Sequence, residues 1–285
     1  MADDLVAQIL RLAAFSDGDQ GGNPAGVLLA DEMSPEADML AAAAAVGYSE
    51  TAFLAPITPE AGHWRVRYFS PQMEVPFCGH ATIALTAALA EKTGQSDFTL
   101  ALNHATITTK AVREGDKMSA SLISPPTSST PIAADVVDSF CALFGWTTAQ
   151  LDNRLPPVFM SAGARHILLP LTSRTDLAEM AYDFEAGLQL MTAHDLVTIM
   201  AVWQEAPDLF HVRNAFAVGG VVEDPATGAA AAAFTAYLQE CRNEARPALT
   251  LIQGEDMGMR SVIQTRAGPH PSDGVEVTGQ VRHLS

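Results

Sequence analysis

Short alternating runs of hydrophobic and polar positions in the first third of the chain predict strands at Gln8–Phe15, Gly26–Leu29, Thr51–Leu54 and Trp64–Phe69. A Gly/Asp/Asn-rich loop spans Ser16 to Pro24, and a Pro/Thr/Glu/Gly turn region separates Leu54 from Trp64. One helix interrupts the strands. Ser34-Pro35-Glu36 offers an N-cap, a proline at the first helical position and an early acid, and the Ala-rich run to Val46 stops at Gly47. Ala81–Leu89 is apolar almost all round, the pattern of a helix buried on every side, and Phe77-Cys78-Gly79-His80 leads into it. Strands resume at Phe98–Leu102, Ala105–Val112 and Lys117–Ile123, after which the stretch from Pro125 to Pro131 breaks the pattern and predicts a linker.

A similar programme then restarts. It predicts a helix over Asp135–Phe144, a strand at Arg165–Leu169, helical stretches between Asp176 and Met200, and a strand at Asp208–Val212. Asp224-Pro225-Ala226-Thr227-Gly228-Ala229 follows, opening a second all-apolar helix. Laid on Gly79–Leu89 without a gap, Gly228–Leu238 matches at six of eleven positions. Three of the six are alanines, which composition alone supplies, so the flanks matter more. Each copy follows an Arg-bearing strand ending in Phe, Arg67-Tyr68-Phe69 in one case and Arg213-Asn214-Ala215-Phe216 in the other. We read an internal duplication with an N-terminal lobe at 1–126 and a C-terminal lobe at 127–285, the last strand packing back on the first lobe.

Composition narrows the partners. Of the 285 residues 48% are apolar and 17% charged, a balance that folds. A formal charge of −17 with only 16 Lys+Arg argues against nucleic acid and anionic membrane, because binding phosphates needs clustered cations. A small anionic metabolite would have to be held by backbone dipoles and a few local side chains. Cys78, Cys141 and Cys241 are an odd set without C-x-x-C spacing, which suits a reducing cytoplasm. Acids at Asp3 and Asp4 stand where a signal peptide needs positive charge, and no apolar run approaches the roughly 18–20 residues of a membrane span.

Each apolar helix begins at a glycine, Gly79 or Gly228, and a glycine there lets an anion approach the unpaired amides at the positive end of the helix dipole. The surrounding residues are Gly22-Asn23-Pro24-Ala25-Gly26-Val27, Ser49-Glu50-Thr51, Phe69-Ser70-Pro71-Gln72-Met73-Glu74-Val75-Pro76-Phe77-Cys78-Gly79-His80-Ala81-Thr82, Glu223-Asp224-Pro225-Ala226-Thr227-Gly228 and Gln253-Gly254. In this order, from Asn23 to about Gly279, they resemble the phenazine-biosynthesis PhzF-like isomerases. The resemblance implies an α+β diaminopimelate epimerase-like fold. Its two pseudo-symmetric lobes are each a curved, largely antiparallel sheet or barrel around a central helix, and the working form is a homodimer. It also implies isomerisation of a small carboxylate-bearing metabolite without a cofactor.

By the same resemblance Glu50 matches the proton-transferring glutamate, and His80 and Asp224 match substrate-contacting residues, with Gly79, Gly228 and Ala229 lining the binding site. A carboxylate removes a proton from carbon only where the resulting carbanion or enol is stabilised, which the helix starts would provide. Racemases of the same fold oppose two cysteines; here Thr227 stands in the place of the second, so Cys78 is read as a packing residue. Two positions depart from the family pattern. Ala229 replaces a serine, and Gly258-Met259-Arg260-Ser261 displaces the arginine by one and lacks a proline. Both point to a different substrate, and they keep a non-catalytic binding descendant open as the alternative. Phosphate-loop, nucleophile-elbow and H-E-x-x-H patterns are missing, and His63, His104 and His166 lack metal-ligand spacing, so neither cofactor nor metal is expected.

Overall fold

The computed structural model describes residues 2–57, 62–270 and 273–284; the predicted turn at 58–61 lies outside the described residues. The chain divides into two compact units, Met1–Ile123 with Thr278–Ser285, and Ser124–Val277.

The first unit contains α1 (Ala2–Gln8), β1 (Leu10–Ala14), β2 (Asn23–Leu29), α2 (Glu36–Val46), β3 (Thr51–Pro56), β4 (His63–Phe69), β5 (Glu74–Val75), α3 (Gly79–Thr93), β6 (Asp97–Ala101), β7 (Thr106–Glu114) and β8 (Lys117–Ile123). The pair β1–β2 is antiparallel, β2–β3 parallel, β3–β4 antiparallel, β4–β6 parallel, and β6–β7 and β7–β8 antiparallel. The closing strand β17 (Val275–His283) pairs with β1 and with β8, so eight strands form a barrel. Inside it runs α3, buried at every position from His80 to Ala90. That enclosure explains the apolar periphery read from the sequence: from His80 to Ala90 no face of α3 meets water. Outside the barrel, α1 and α2 cover Leu28, Phe53 and Phe69 with Ile9, Met39, Ala42 and Ala43.

The second unit contains β9 (Thr127–Pro131), α4 (Ala134–Leu143), β10 (Val158–Ala162), β11 (Arg165–Leu171), α5 (Arg174–Ala178), α6 (Phe184–Ala193), β12 (Thr198–Ala206), β13 (Leu209–Ala215), β14 (Glu223–Asp224), α7 (Gly228–Arg242), β15 (Ala248–Gln253) and β16 (Ser261–Ala267). From β10 to β16 the pairing repeats that of β1 to β7: antiparallel, parallel, antiparallel, then parallel β13–β15 and antiparallel β15–β16. The short strand β14 lies on β13 as β5 lies on β4. Even a buried polar contact is duplicated. Thr86 on α3 meets Thr109 on β7 at 2.9 Å, and Thr235 on α7 meets Thr265 on β16 at 2.7 Å. Each helix threonine also bonds the carbonyl four residues back, Thr82 or Ala231. Such a match in topology and in hydroxyl pairing is more than two Ala-rich helices would share by composition.

Four sequence expectations are corrected. The first strand begins at Leu10, because Ala2–Gln8 is helical and sets Leu5 and Val6 against the outer core. Ser34 does not cap α2: Pro35 precedes the first helical residue, and no side chain caps it. Thr127–Pro131 is the strand β9 rather than a linker; it pairs with β10, and its proline sits at the strand end where a missing N–H costs little. Residues Thr198 to Met200 are strand, not helix, because β12 pairs on both sides, with β11 and with β13. Among the described residues no helix is long and apolar enough to cross a membrane.

Ile167, Leu169 and Leu171 join the cluster with α4–α6, so strand alternation turns His166 to the opposite face. His166 is fully buried there. Thr198 spends its only hydroxyl proton on Asn214 Oδ1 at 3.0 Å, so His166 Nδ1, 2.8 Å from Thr198 Oγ1, must donate. His166 Nε2 is then an acceptor with no partner. Burial pushes the His166 imidazole down to about 3. The unfolded chain takes up this proton below pH ~6.5 and the native protein does not, so stability contributed by neutral His166 is present above that pH and lost as pH falls. The unfolding free energy from urea titration is expected to drop between pH 6 and 5 by on the order of 1 kcal/mol per pH unit more in wild type than in His166→Asn. Parallel pH profiles would refute the assignment.

Candidate active site

Glu50 precedes β3, and its carbonyl accepts the Gly26 N–H at 3.2 Å, which fixes the backbone where the carboxylate emerges. Cys78 and His80 flank the first residue of α3. Pairing of β3 with β4, Thr51 opposite Phe69, brings these segments together. Glu50 Oε2 lies 3.5 Å from His80 Nε2, Ser49 Oγ lies 3.4 Å from the same nitrogen, and Cys78 Sγ lies 3.3 Å from Nδ1 on the other side of the ring. His80 is 8% exposed and the Glu50 side chain 19%, so the pair is shielded without being sealed. Three dissimilar donors, carboxylate, thiol and imidazole, thus converge within 4.8 Å of one another.

The helix start behind them is held from below. Thr82 Oγ1 donates to the Cys78 carbonyl at 2.7 Å, and the fully buried Tyr68 hydroxyl therefore donates to Thr82 Oγ1 at 2.7 Å. Burial pushes the Tyr68 phenol well above its usual range, which keeps it a neutral strut. No side chain caps α3 and no acid lies in its first turn. Its first backbone bond joins the Thr82 N–H to the Cys78 carbonyl, so the amides of Gly79, His80 and Ala81 have no acceptor within the helix. A Cβ built on Gly79 would meet nothing within 4 Å. Packing therefore does not require glycine at that position, and an anion has room above those amides.

In the second unit Asp224 ends β14 and Gly228 opens α7. Thr227 Oγ1 donates to Asp224 Oδ2 at 2.6 Å. Gln253, nearly fully buried, clamps the turn from behind. Its amide donates to the Asp224 carbonyl at 2.7 Å and to Thr227 Oγ1 at 3.0 Å, while its carbonyl accepts the Thr227 N–H at 3.1 Å. Gly254 has φ 72°, and a Cβ there would come within 2.5 Å of the Met259 carbonyl and 2.9 Å of that of Pro225. Here glycine is required both by backbone conformation and by close approach. Next to it Glu255 accepts from Arg174 at 3.1 Å and lies 3.0 Å from His211 Nδ1. The displaced Arg260 also reaches Glu255, so the altered segment keeps an ion pair behind the turn. Ala229 brings no hydroxyl to the start of α7, which like α3 lacks a side-chain cap.

Of the residues expected from sequence, Glu50, Gly79 and His80 come together in the first unit, and Asp224, Gly228 and Ala229 in the second. Sequence reading missed Ser49 and Cys78 as neighbours of the His80 ring, and the clamping role of Gln253. Their signal was present in the Ser-Glu-Thr, Cys-Gly-His and Gln-Gly strings, but spacing along the chain does not say which atoms meet.

A closed barrel around a buried helix, repeated as a second sheet and helix, defines the diaminopimelate epimerase-like fold. The comparison with solved structures agrees. A phenazine biosynthesis protein of the PhzF family from Bacillus anthracis superposes with a TM-score of 0.85 over 97% of this chain and 96% of that one, at 22% identity. The PhzC-PhzF family, described as phenazine biosynthesis-like protein, matches residues 12–283. The chain belongs to this family. Similar relatives include an uncharacterized isomerase of Bacillus subtilis, 28% identical over 96% of this chain and 95% of that protein. Another is the trans-2,3-dihydro-3-hydroxyanthranilate isomerase of Pseudomonas chlororaphis, 28% identical over 89% and 88%.

Proposed function

We propose that this protein is a cofactor-independent isomerase that moves a proton between carbons of a small carboxylate-bearing metabolite, with Glu50 as the proton carrier, acting in the cytoplasm as a homodimer. The observation that supports this best is the Glu50 carboxylate 3.5 Å from His80 at an uncapped helix start, with open space above Gly79. In the reaction, the Glu50 carboxylate takes a proton from a substrate carbon, the C–H electron pair moves into the adjacent unsaturated system, and the double bond shifts. Negative charge grows on the substrate, where the amides of Gly79, His80 and Ala81 and the His80 ring can stabilise it. Glu50 then returns the proton to a different carbon, so atoms and charge balance without an oxidant. Asp224 and the amides of Gly228 and Ala229 are assigned to substrate binding. The names of relatives as isomerases, one acting on a cyclic amino-hydroxy acid, support the reaction class. Ala229 removes a hydroxyl from the binding surface, favouring a substrate with an apolar group at that position.

The test is incubation in heavy water with a panel of unsaturated carboxylic acids that includes trans-2,3-dihydro-3-hydroxyanthranilate. Deuterium should enter at least one of them at carbon. Binding of such acids with no exchange in any would overturn catalysis in favour of a binding protein, the reading that Ala229 and residues 258–261 would then support. Gly79→Ala should leave the melting temperature unchanged and weaken the anion by roughly 10–100-fold, because its methyl group occupies the space over the amides. Equal affinity would show that no anion sits there.

A further inference from the structure

The geometry points to Glu50, Cys78 and His80 as a site for one soft divalent cation, zinc foremost, whose binding blocks proton transfer. Cation binding is independent of the proposed reaction; only the block rests on it. Tetrahedral zinc with bonds of about 2.0–2.3 Å places its ligand atoms roughly 3.3–3.7 Å apart. Here Cys78 Sγ lies 3.3 Å from His80 Nδ1 and 4.0 Å from Nε2, and Glu50 Oε2 lies 3.5 Å from Nε2. The three donor atoms all lie within 4.8 Å of one another, and because the thiol sits nearer Nδ1 and the carboxylate nearer Nε2, coordination at one ring nitrogen requires the Glu50 and Cys78 side chains to rotate inward by up to about an ångström.

The supports are firm. Cys78 and His80 stand on the Tyr68–Thr82 strut, and Glu50 on the Gly26 amide. Sulfur, imidazole nitrogen and carboxylate oxygen are the donors zinc prefers, and three protein ligands leave its fourth position open. Binding releases one proton: the Cys78 thiol gives its hydrogen to solvent, the sulfur lone pair forms the metal bond, and thiolate plus carboxylate neutralise the dication. A chain of net charge −17 also concentrates cations around itself. The metal would occupy Glu50, the group assigned to proton transfer, and His80, the ring assigned to stabilising the substrate's charge, so bound cation and catalysis exclude each other.

Cobalt(II) serves as the probe on the full-length chain, because its visible spectrum reports tetrahedral geometry and its sulfur charge-transfer band reports a thiolate ligand. One cobalt per chain with that band, displaced by one equivalent of zinc, is expected. Cys78→Ala and Cys78→Ser should both lose the band and weaken binding by more than the roughly 10–100-fold that outer partners alone contribute, whereas Cys241→Ser should keep it. Absence of the band in wild type, or its survival in either Cys78 variant, would overturn the site; the serine variant preserves shape should the alanine variant fail to fold. With an exchanging acid in hand, zinc should abolish deuterium uptake and a chelator restore it. Undiminished exchange with metal bound would overturn the block alone, and cobalt binding by a chain with no exchange activity would refute only the isomerase reading.

Discussion

In Glu50→Gln, deuterium exchange into any acid that the wild type labels is expected to fall by about 10²–10⁴-fold, the usual worth of a positioned general base. The substitution changes one oxygen to an amide nitrogen, so volume is conserved. The group is 19% exposed, so the neutral side chain gains rather than loses from its surroundings. Binding should stay within a few fold, because the anion is assigned to the helix amides rather than to Glu50. A fall in turnover with affinity retained marks an interaction made in the transition state. A parallel loss of both would instead describe a binding residue. Exchange that persists at the wild-type rate would remove Glu50 from the mechanism, and Cys78, the remaining proton acceptor beside His80, would become the base to examine. Ser49→Ala provides a scale: its hydroxyl contacts His80 at 3.4 Å from an exposed position, and only a few-fold loss is expected.

The two buried helices were legible because the strands around them leave them no polar face, and the duplication was legible where both copies keep the same threonine. Thr86 and Thr235 aligned as letters; that each one pairs with a threonine on a neighbouring strand could not be seen without the fold. Polar strands were the weak point. Thr127-Ser128-Ser129-Thr130-Pro131 has the composition of a loop, yet its backbone completes a ladder with β10 while its side chains stay largely outside. Residues 198–200 failed for the opposite reason: a short apolar run does not distinguish a strand buried on both faces from a helix, and parallel pairing decided it. At the site, motif strings identified Glu50, His80 and Asp224, but the atoms that meet come from distant segments. Glu50 is carried toward Cys78 by the pairing of β3 with β4, Thr51 opposite Phe69, and Gln253 reaches Thr227 only because β15 runs parallel to β13.

Arg213→Met is expected to destabilise the protein by about 3–5 kcal/mol, the cost of leaving a buried charge without its partner. Arg213 is 11% exposed and Glu223 4%. The guanidinium grips the carboxylate with Nε at 3.1 Å and Nη2 at 2.6 Å, and its Nη1 donates to the carbonyls of Leu177, Ala178 and Met180 at 2.9–3.2 Å. Methionine fills the space but leaves a buried anion and three acceptors at the end of α5 without their donor. The duplication supplies the control. Arg67 makes the equivalent pair with Glu74, but the two are 17% and 21% exposed and its second partner, Glu36, is 68% exposed. Water screens that pair, so Arg67→Met should cost only about 1–2 kcal/mol. Urea midpoints of both variants measure the difference, and equal losses would contradict the burial argument. Replacing the whole buried pair, Arg213→Met with Glu223→Leu, should recover most of the stability, because apolar groups of similar volume need no partner. The same variant separates folding from function. Glu223 immediately precedes Asp224 on β14, whose register on β13 is set at Asn214 and Ala215. A stable double variant that still exchanges deuterium would show that the ion pair serves the fold, while one that folds and loses substrate affinity would show that it also positions Asp224.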